Sequence, residues 1–269
     1  MKIFLNKKKL LNSIHREKNL GFVPTMGAIH TGHISLMRRS LDECDKTVVS
    51  IFVNKPQFNK KIDFKKYPRN IKKDILILKK IGVDILFIPT NKDIYPAGVN
   101  KNINISTFAN ILCGKNRPGH FKAVVDVVDR LIKIVKPKKI YLGEKDMQQL
   151  KIIQDYVKKN KIKVKVINCK TVRESSGIPY SSRNFLLSKK QKNVAKKIYN
   201  FLFKNKHSLI KNIKNINKFK IKVIKIGADK IDYINILDIN KINKPYKKKR
   251  NLKIFIAYYL GKTRLIDNF

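Results

Sequence analysis

This chain is poor in acid. Only 18 aspartates and glutamates stand against 62 lysines and arginines, a formal charge of +44 over 269 residues. Beyond Glu174 there is no glutamate at all. Cysteine is also scarce: Cys44, Cys113 and Cys169 are odd in number, far apart and in no Cys-x-x-Cys pair, which argues against a disulfide framework and a cysteine-based zinc site. No apolar run approaches the roughly 18–20 residues of a membrane span. The opening Met1-Lys2-Ile3-Phe4-Leu5 meets Lys7, Lys8 and Lys9 too soon for a secretory signal. No internal repeat is present. These absences predict a soluble, reduced, cytoplasmic protein with no membrane partner. Against them, 43% of the residues are hydrophobic, enough for a genuine core. The length allows one large domain or two ordinary ones.

The charge invites a nucleic-acid partner, because lysine and arginine neutralise phosphates and release counterions. Its make-up argues otherwise. Only ten of the 62 basic residues are arginine, the residue of bidentate phosphate and base recognition. The lysines are spread among asparagine and isoleucine, as a genome rich in A and T would produce. No aromatic-interleaved RNA-recognition motif, zinc finger or basic zipper is present. The expectation is no specific nucleic-acid partner.

Hydrophobic periodicity alternates between strand and helix. Leu20 to Val23, Thr47 to Val53, Val83 to Ile88, Ile140 to Leu142 and Lys163 to Cys169 read as strands. Ile34, Met37 and Leu41, then Ile71, Ile75 and Leu78 stopped by Gly82, have helical spacing. Phe121, Val124, Val125, Val128, Leu131, Ile132 and Val135 form the cleanest amphipathic helix, ended by Pro137. Met147, Leu150, Ile153 and Val157 form another. This alternation predicts an α/β fold, a Rossmann-like parallel sheet with helices on both faces and right-handed crossovers. Composition shifts near Ser175-Ser176-Gly177. A domain boundary is therefore expected at residue 177, with a smaller α+β domain over residues 178–269. There, Ser188 with Gln191 signals a capping box and a helix to about Lys204. Ile231 to Leu237 and Leu252 to Tyr259 read as strands joined by a loop with Pro245. The Lys-rich segment from Lys204 to Ile226 gives no clear pattern.

Four segments carry chemistry. Pro24-Thr25-Met26-Gly27-Ala28-Ile29-His30-Thr31-Gly32-His33 joins a strand to a helix, in the first βα turn of the main sheet. There free N–H groups, the positive end of the helix dipole and permissive glycines suit a phosphate. His30 and His33, at i and i+3, can face that phosphate together. The bland alternative is a plain turn capped by Thr31. A metal at the histidine pair lacks a third ligand, so no direct metal ligation is predicted. The loop around Asn54 and Gln57 ends a strand and offers amides to a small polar substrate. Arg117-Pro118-Gly119 starts the amphipathic helix. Beyond it, Gly143 and Lys145 suit ribose and phosphate, while Asp146 with Gln149 also makes a sound capping pair. Last, Ser181-Ser182-Arg183 gives hydroxyls and a guanidinium able to close over a triphosphate.

Taken together, the ordered motifs are more specific than any one of them. Pro24-Thr25-Met26-Gly27, Phe52-Val53-Asn54 with Gln57-Phe58, Tyr67-Pro68-Arg69, Arg117-Pro118-Gly119-His120-Phe121, Gly143-Glu144-Lys145-Asp146 with Gln148-Gln149, and Ser181-Ser182-Arg183-Asn184 resemble the pantothenate synthetase (pantoate–β-alanine ligase) family of the nucleotidylyltransferase superfamily. The ending Tyr258-Tyr259-Leu260-Gly261 to Arg264-Leu265-Ile266-Asp267-Asn268 is similar too. The resemblance implies an ATP-dependent ligase working through an acyl adenylate, with pantoate, β-alanine and ATP with Mg²⁺ as substrates, and a homodimer. It also implies site residues. Met26, Gly27, Ala28, Ile29, His30, Thr31, Gly32 and His33 would line ATP, as would Gly143, Glu144, Lys145, Asp146, Val172, Tyr180, Ser181, Ser182 and Arg183. Gln57 and Gln149 would hold pantoate, Gln57 also lying near β-alanine. His33, His30, Lys145 and Arg183 would serve catalysis, the histidines chiefly as charge stabilisers and Lys145 and Arg183 as phosphate clamps. Lys55, Thr31 and Tyr180 depart from the family pattern. Two other readings stay open: another nucleotidyltransferase of the superfamily, and a basic nucleic-acid binder.

Overall fold

Short β-branched and apolar stretches that are buried on both faces can pair only inside a protein, and here they make a parallel sheet. In the computed structural model, six strands form it: β1 (Lys2–Phe4), β2 (Leu20–Thr25), β3 (Lys46–Ile51), β4 (Ile85–Phe87), β5 (Lys139–Gly143) and β6 (Lys165–Cys169). All pairs are parallel, in the order β1-β4-β3-β2-β5-β6. The structure describes every residue but 244, 245 and 247, and describes residue 213 by its backbone alone.

Helices cover both faces, as the alternation predicts. On one face the helices Lys7–Ile14, His120–Val135 and Met147–Lys159 bring Leu10, Val128 and Ile153 against Phe22 and Ile140. On the other, Thr31–Glu43 and Ile71–Ile81 bring Met37 and Leu78 against Val23, Val49, Leu86 and Tyr141. The first of these lies almost on the backbone of β2. Ser40, fully buried and hydrogen-bonded to Thr47 Oγ1 at 2.8 Å, sits where any Cβ on Gly21 would collide with its hydroxyl.

A second sheet is antiparallel: β7 (Lys230–Asp238), β8 (Leu252–Leu260) and β9 (Thr263–Asn268), in that order. Ile198, Leu202, Leu209 and Val223, from the helices Lys189–Lys204, Lys206–Lys211 and Ile216–Ile226, share its apolar cluster with Ile234, Ile254 and Ile256. Tyr233, Phe255 and Ala257 from its strands, with Ile239 just after β7, belong instead to the core of the parallel sheet, so the two sheets share apolar packing.

Several local expectations need correction or completion. The Ser188–Gln191 capping box forms in full. Asp146 stands at the N-cap of Met147–Lys159 but makes no side-chain cap bond; its carboxylate faces Lys145 instead. Thr31 is not a cap, because His30 occupies the N-cap and Thr31 is the first helical residue. The helix Lys7–Ile14 and strands β1 and β9 are additions to the sequence reading, so the turn carrying His30 and His33 is the second βα turn and not the first; the unpatterned stretch from Lys204 to Ile226 is mostly helical. Pro245 lies outside the described residues.

Candidate active site

In an open parallel sheet, ligands bind beyond the carboxyl ends of the strands where the chain changes direction of travel. Here β2 is flanked by β3 on one side and β5 on the other, so that point lies between the turns that follow β2 and β5. Both chemistry-bearing turns sit there.

The turn after β2 is held by four side-chain hydrogen bonds. Thr25 Oγ1 donates to Ser50 O at 2.8 Å and accepts from Gly27 N at 3.1 Å. Gly27 and Ala28 then adopt positive φ, +78° and +51°. The strain at a non-glycine residue is offset by Asp74, whose buried carboxylate accepts from Ala28 N at 2.9 Å and Ile29 N at 2.8 Å. Burial raises its carboxyl above the ordinary range even though the two N–H donors pull it down. The turn delivers His30 and His33 to the cleft with their rings stacked, centroids 3.9 Å apart. Tyr180 stacks behind His30 at 6.4 Å. The Nδ1 atoms of both histidines are buried and have no hydrogen-bond partner.

Both histidines are neutral. Burial, then Lys145, lowers the His30 pKa to about 4, with Asp146 opposing. Burial, then His30 and Lys145, holds His33 well below its ordinary value. A neutral pair offers a ligand N–H donors rather than charge, and Lys145 and Arg183 are the cationic side chains that share its cleft. Lys145 lies in the turn after β5, its Nζ 3.7 Å from Asp146 Oδ1. The backbone of that turn is held from the second sheet, since Asn268 Nδ2 donates to Glu144 O at 2.9 Å and Lys145 O at 3.0 Å.

Gln57 is oriented by a relay of one-way hydrogen bonds. Tyr95 Oη donates to Asn54 Oδ1 at 2.7 Å, and Asn54 Nδ2 donates to Gln57 Oε1 at 3.1 Å. The Gln57 amide nitrogen is then left for the cleft, where it lies against Met26 Sδ. Next to it, Arg117 is held by His120 Nε2 at 3.0 Å and Gln57 O at 3.1 Å. Burial and the nearby Arg183 lower the Arg117 pKa to about 10. Burial and Arg117 lower the His120 pKa to about 3. At the far wall, Ser181 caps the turn Ser182–Leu186, Ser182 Oγ donates to Tyr67 Oη at 3.3 Å and Arg183 pairs with Asp63 at 3.0 Å.

Together these groups line a cleft of about 240 Å³. The structure brings to it Met26, His30, Gly32, His33, Gln57, Gly143, Lys145, Asp146, Gln149, Val172, Tyr180, Ser181, Ser182 and Arg183. It does not bring Gly27, Ala28, Ile29, Thr31 or Glu144 to the lining. Ala28 and Ile29 spend their N–H groups on Asp74, and Glu144 accepts from Asn168 Nδ2 at 2.8 Å. Of the three departures, only Tyr180 meets the cleft. A larger cavity of about 780 Å³, between the sheets, shares Arg117, Lys145, Asp146, Ser181 and Arg183 with it. Among the described residues, no group of three or more His, Cys, Asp or Glu is placed to hold a metal ion. No helix among them is long and apolar enough to cross a membrane.

Sequence reasoning missed Asp63, Tyr67, Asp74, Arg117 and Asn268 as contributors. Asp74 carried a usable signal: it is the acid four residues before Leu78 on a helix, hence on that helix's buried face.

Three neutral histidines, His120 buried and His30 and His33 half-buried, set a pH dependence. Their folded pKa values lie below the 6.5 of a free imidazole, so the unfolded chain binds protons that the folded chain refuses. The stabilisation is complete above pH 6.5 and is lost as pH falls toward 4 and 3. A thermal midpoint that declines steadily from pH 6.5 to 5, where carboxylates have hardly begun to titrate, is the expected result. A flat midpoint over that interval would contradict the neutral assignment.

The fold and the cleft are those of a nucleotide-using α/β enzyme, with a stacked histidine pair at the switch point of its sheet. The pantoate-beta-alanine ligase family model matches residues 2–269. A pantothenate synthetase of Francisella tularensis subsp. mediasiatica is 44% identical over 259 residues, covering 96% of this chain and 92% of that one. The crystal structure of a Francisella tularensis pantoate–β-alanine ligase, complexed with β-γ ATP and β-alanine, superposes with a TM-score of 0.86 at 42% identity, covering 100% of this chain and 97% of that one. The Thermus thermophilus pantothenate synthetase gives a TM-score of 0.91 at 31% identity, covering 100% and 99%. The chain belongs to the pantoate–β-alanine ligase family.

Proposed function

We propose that this chain joins pantoate to β-alanine in two steps within the cleft, as an ATP-dependent ligase. The pantoate carboxylate attacks the α-phosphorus of ATP, and pyrophosphate leaves. The β-alanine amine then attacks the acyl carbon of pantoyl adenylate, and AMP leaves with the bonding pair. ATP enters with Mg²⁺ as its counter-ion, which neutralises the departing pyrophosphate.

The observation that carries this reading is the stacked, neutral histidine pair beside Lys145, with both Nδ1 atoms buried and unpartnered. Such donors cost little until charge builds on the α-phosphate, and then act in a site shielded from water. In this reading Met26, His30, Gly32 and His33 face the phosphates, with Gly143, Lys145, Asp146, Val172 and Tyr180 to Arg183 around the rest of the nucleotide. The Gln57 amide N–H, aimed outward by Asn54, suits an oxygen acceptor on pantoate, and Gln149 lines the same cleft. Gly27, Ala28 and Ile29 shape the turn rather than touch ATP. Residues 1–177 act as the nucleotide- and pantoate-binding lobe and residues 178–269 as a lid. The enzyme works as a homodimer in the cytoplasm.

The test is release of AMP and pyrophosphate from ATP and Mg²⁺ with pantoate and β-alanine omitted in turn. Pantoate alone should support ATP–pyrophosphate exchange, and AMP turnover should need both substrates. ATP binding with no pantoate dependence would defeat the substrate assignment.

A further inference from the structure

Lys145 belongs to the parallel sheet, yet what holds its backbone belongs to the other one. Asn268, near the end of β9 and 4% exposed, spends its side-chain amide on two consecutive carbonyls, Glu144 O at 2.9 Å and Lys145 O at 3.0 Å. Asn268 is itself tied down. Its own carbonyl accepts from Arg173 Nη2 at 3.1 Å, and the neighbouring Asp267 takes Arg173 in a two-pronged pair at 2.7 and 2.9 Å. The Arg173 guanidinium also donates to Gly177 O at 3.0 Å, and it lies over the rings of Tyr199 and Phe269. Arg173 follows β6 of the parallel sheet, so the contacts form a closed path: β6 to Arg173, Arg173 to β9, β9 to the turn after β5. Every link in it is buried or half-buried and hydrogen-bonded, which makes it stiff.

We infer that Asn268 is a positioning residue for Lys145, so that adenylate formation depends on the seating of β9 against the turn after β5. The inference rests on the reading of Lys145 as a phosphate clamp. Asn268 touches no reacting atom, and its effect is geometric: it fixes the backbone from which the Lys145 side chain reaches the α-phosphate. A displacement on the order of 1 Å in such a group costs about 100-fold in rate.

The experiment is pantoate-dependent ATP–pyrophosphate exchange in Asn268→Ala, Lys145→Ala and the double variant, with thermal melts alongside. Asn268→Ala should lower the maximal exchange rate about 30-fold while the KM for pantoate moves by less than about threefold. In the Lys145→Ala background, Asn268→Ala should cost nothing further, since the two act as one unit. If Asn268→Ala does not fold, Asn268→Ser, whose hydroxyl reaches one carbonyl but not both, replaces it with the same expectation. Exchange retained in Lys145→Ala overturns the clamp reading itself. Exchange lost in Lys145→Ala but normal in a folded Asn268 variant overturns the positioning role alone, as do losses that multiply in the double variant.

Discussion

Replacing His33 with alanine lowers the rate of pantoate-dependent ATP–pyrophosphate exchange by about 100- to 1000-fold, and leaves the Kd for ATP within about threefold. The asymmetry follows from the state of the ring. His33 is half-buried with its Nδ1 shut away from solvent, stacked on His30 at 3.9 Å and neutral. On the proposed reading, a neutral donor adds little to the binding of an anion that Lys145 and Arg183 hold. Its N–H matters most when the α-phosphate gathers a further bond and more negative charge in the transition state. Loss of a single preorganised donor in a water-poor site has that size of effect in rate. The check is a pair of measurements on one preparation: exchange kinetics at saturating pantoate, and equilibrium binding of ATP without it. Parallel losses in both would show that His33 binds the ground state and would end its assignment to the chemical step.

Asp74→Ala should lower the thermal midpoint by about 10 °C while leaving the cleft lining intact. The carboxylate is 3% exposed and accepts from two backbone N–H groups. Alanine would strand both donors in an apolar setting, at about 1–3 kcal/mol each. It would also release Ala28 from the positive φ that those bonds enforce. Asp74→Asn keeps one oxygen and should lose about half as much. Calorimetry on the three proteins is sufficient. A midpoint within about 2 °C of the parent in Asp74→Ala would mean that the turn holds itself, and that the carboxylate is incidental.

These two residues also mark what was legible in the chain. His33 was legible because its signal is local: a strand, a glycine-bearing turn, two histidines at helical spacing and an apolar stripe follow one another within about a dozen residues. The parallel strands could be read for the same reason, since each is a short apolar run. Asp74 was legible only in its position, four residues before Leu78 on the buried side of its helix, and not in its role. It stands among lysines on a helix where an acid reads as part of a solvated face, and its partners Ala28 and Ile29 lie 46 and 45 positions away. Asn268 is further still, 124 and 123 positions from the carbonyls it holds. Arg117 read as a helix-start signal, and only the fold shows its guanidinium turned toward Gln57. Strand β1 escaped notice because it is three residues long and pairs only with β4 at the sheet's edge. Asp146 misled in the opposite direction: its spacing to Gln149 suits a cap, but Lys145 lies beside it and takes the carboxylate. Local patterns thus identified the chemistry, while the scaffold that aims it is built from long-range pairs.

The contact of Gly21 with Ser40 makes the helix Thr31–Glu43 behave as a lever. Its fulcrum is the bare backbone of β2, where the absence of a side chain lets the helix rest on the strand. Ser40 lies seven residues beyond His33, about 10 Å along the axis. Any side chain placed under the fulcrum would lift the shaft there, and its tip, which carries His33, would swing by a comparable distance. The aim of the histidine is therefore set two helical turns away, at a position with no chemistry of its own. A glycine chosen for closeness rather than for flexibility acts as the gauge of the active site.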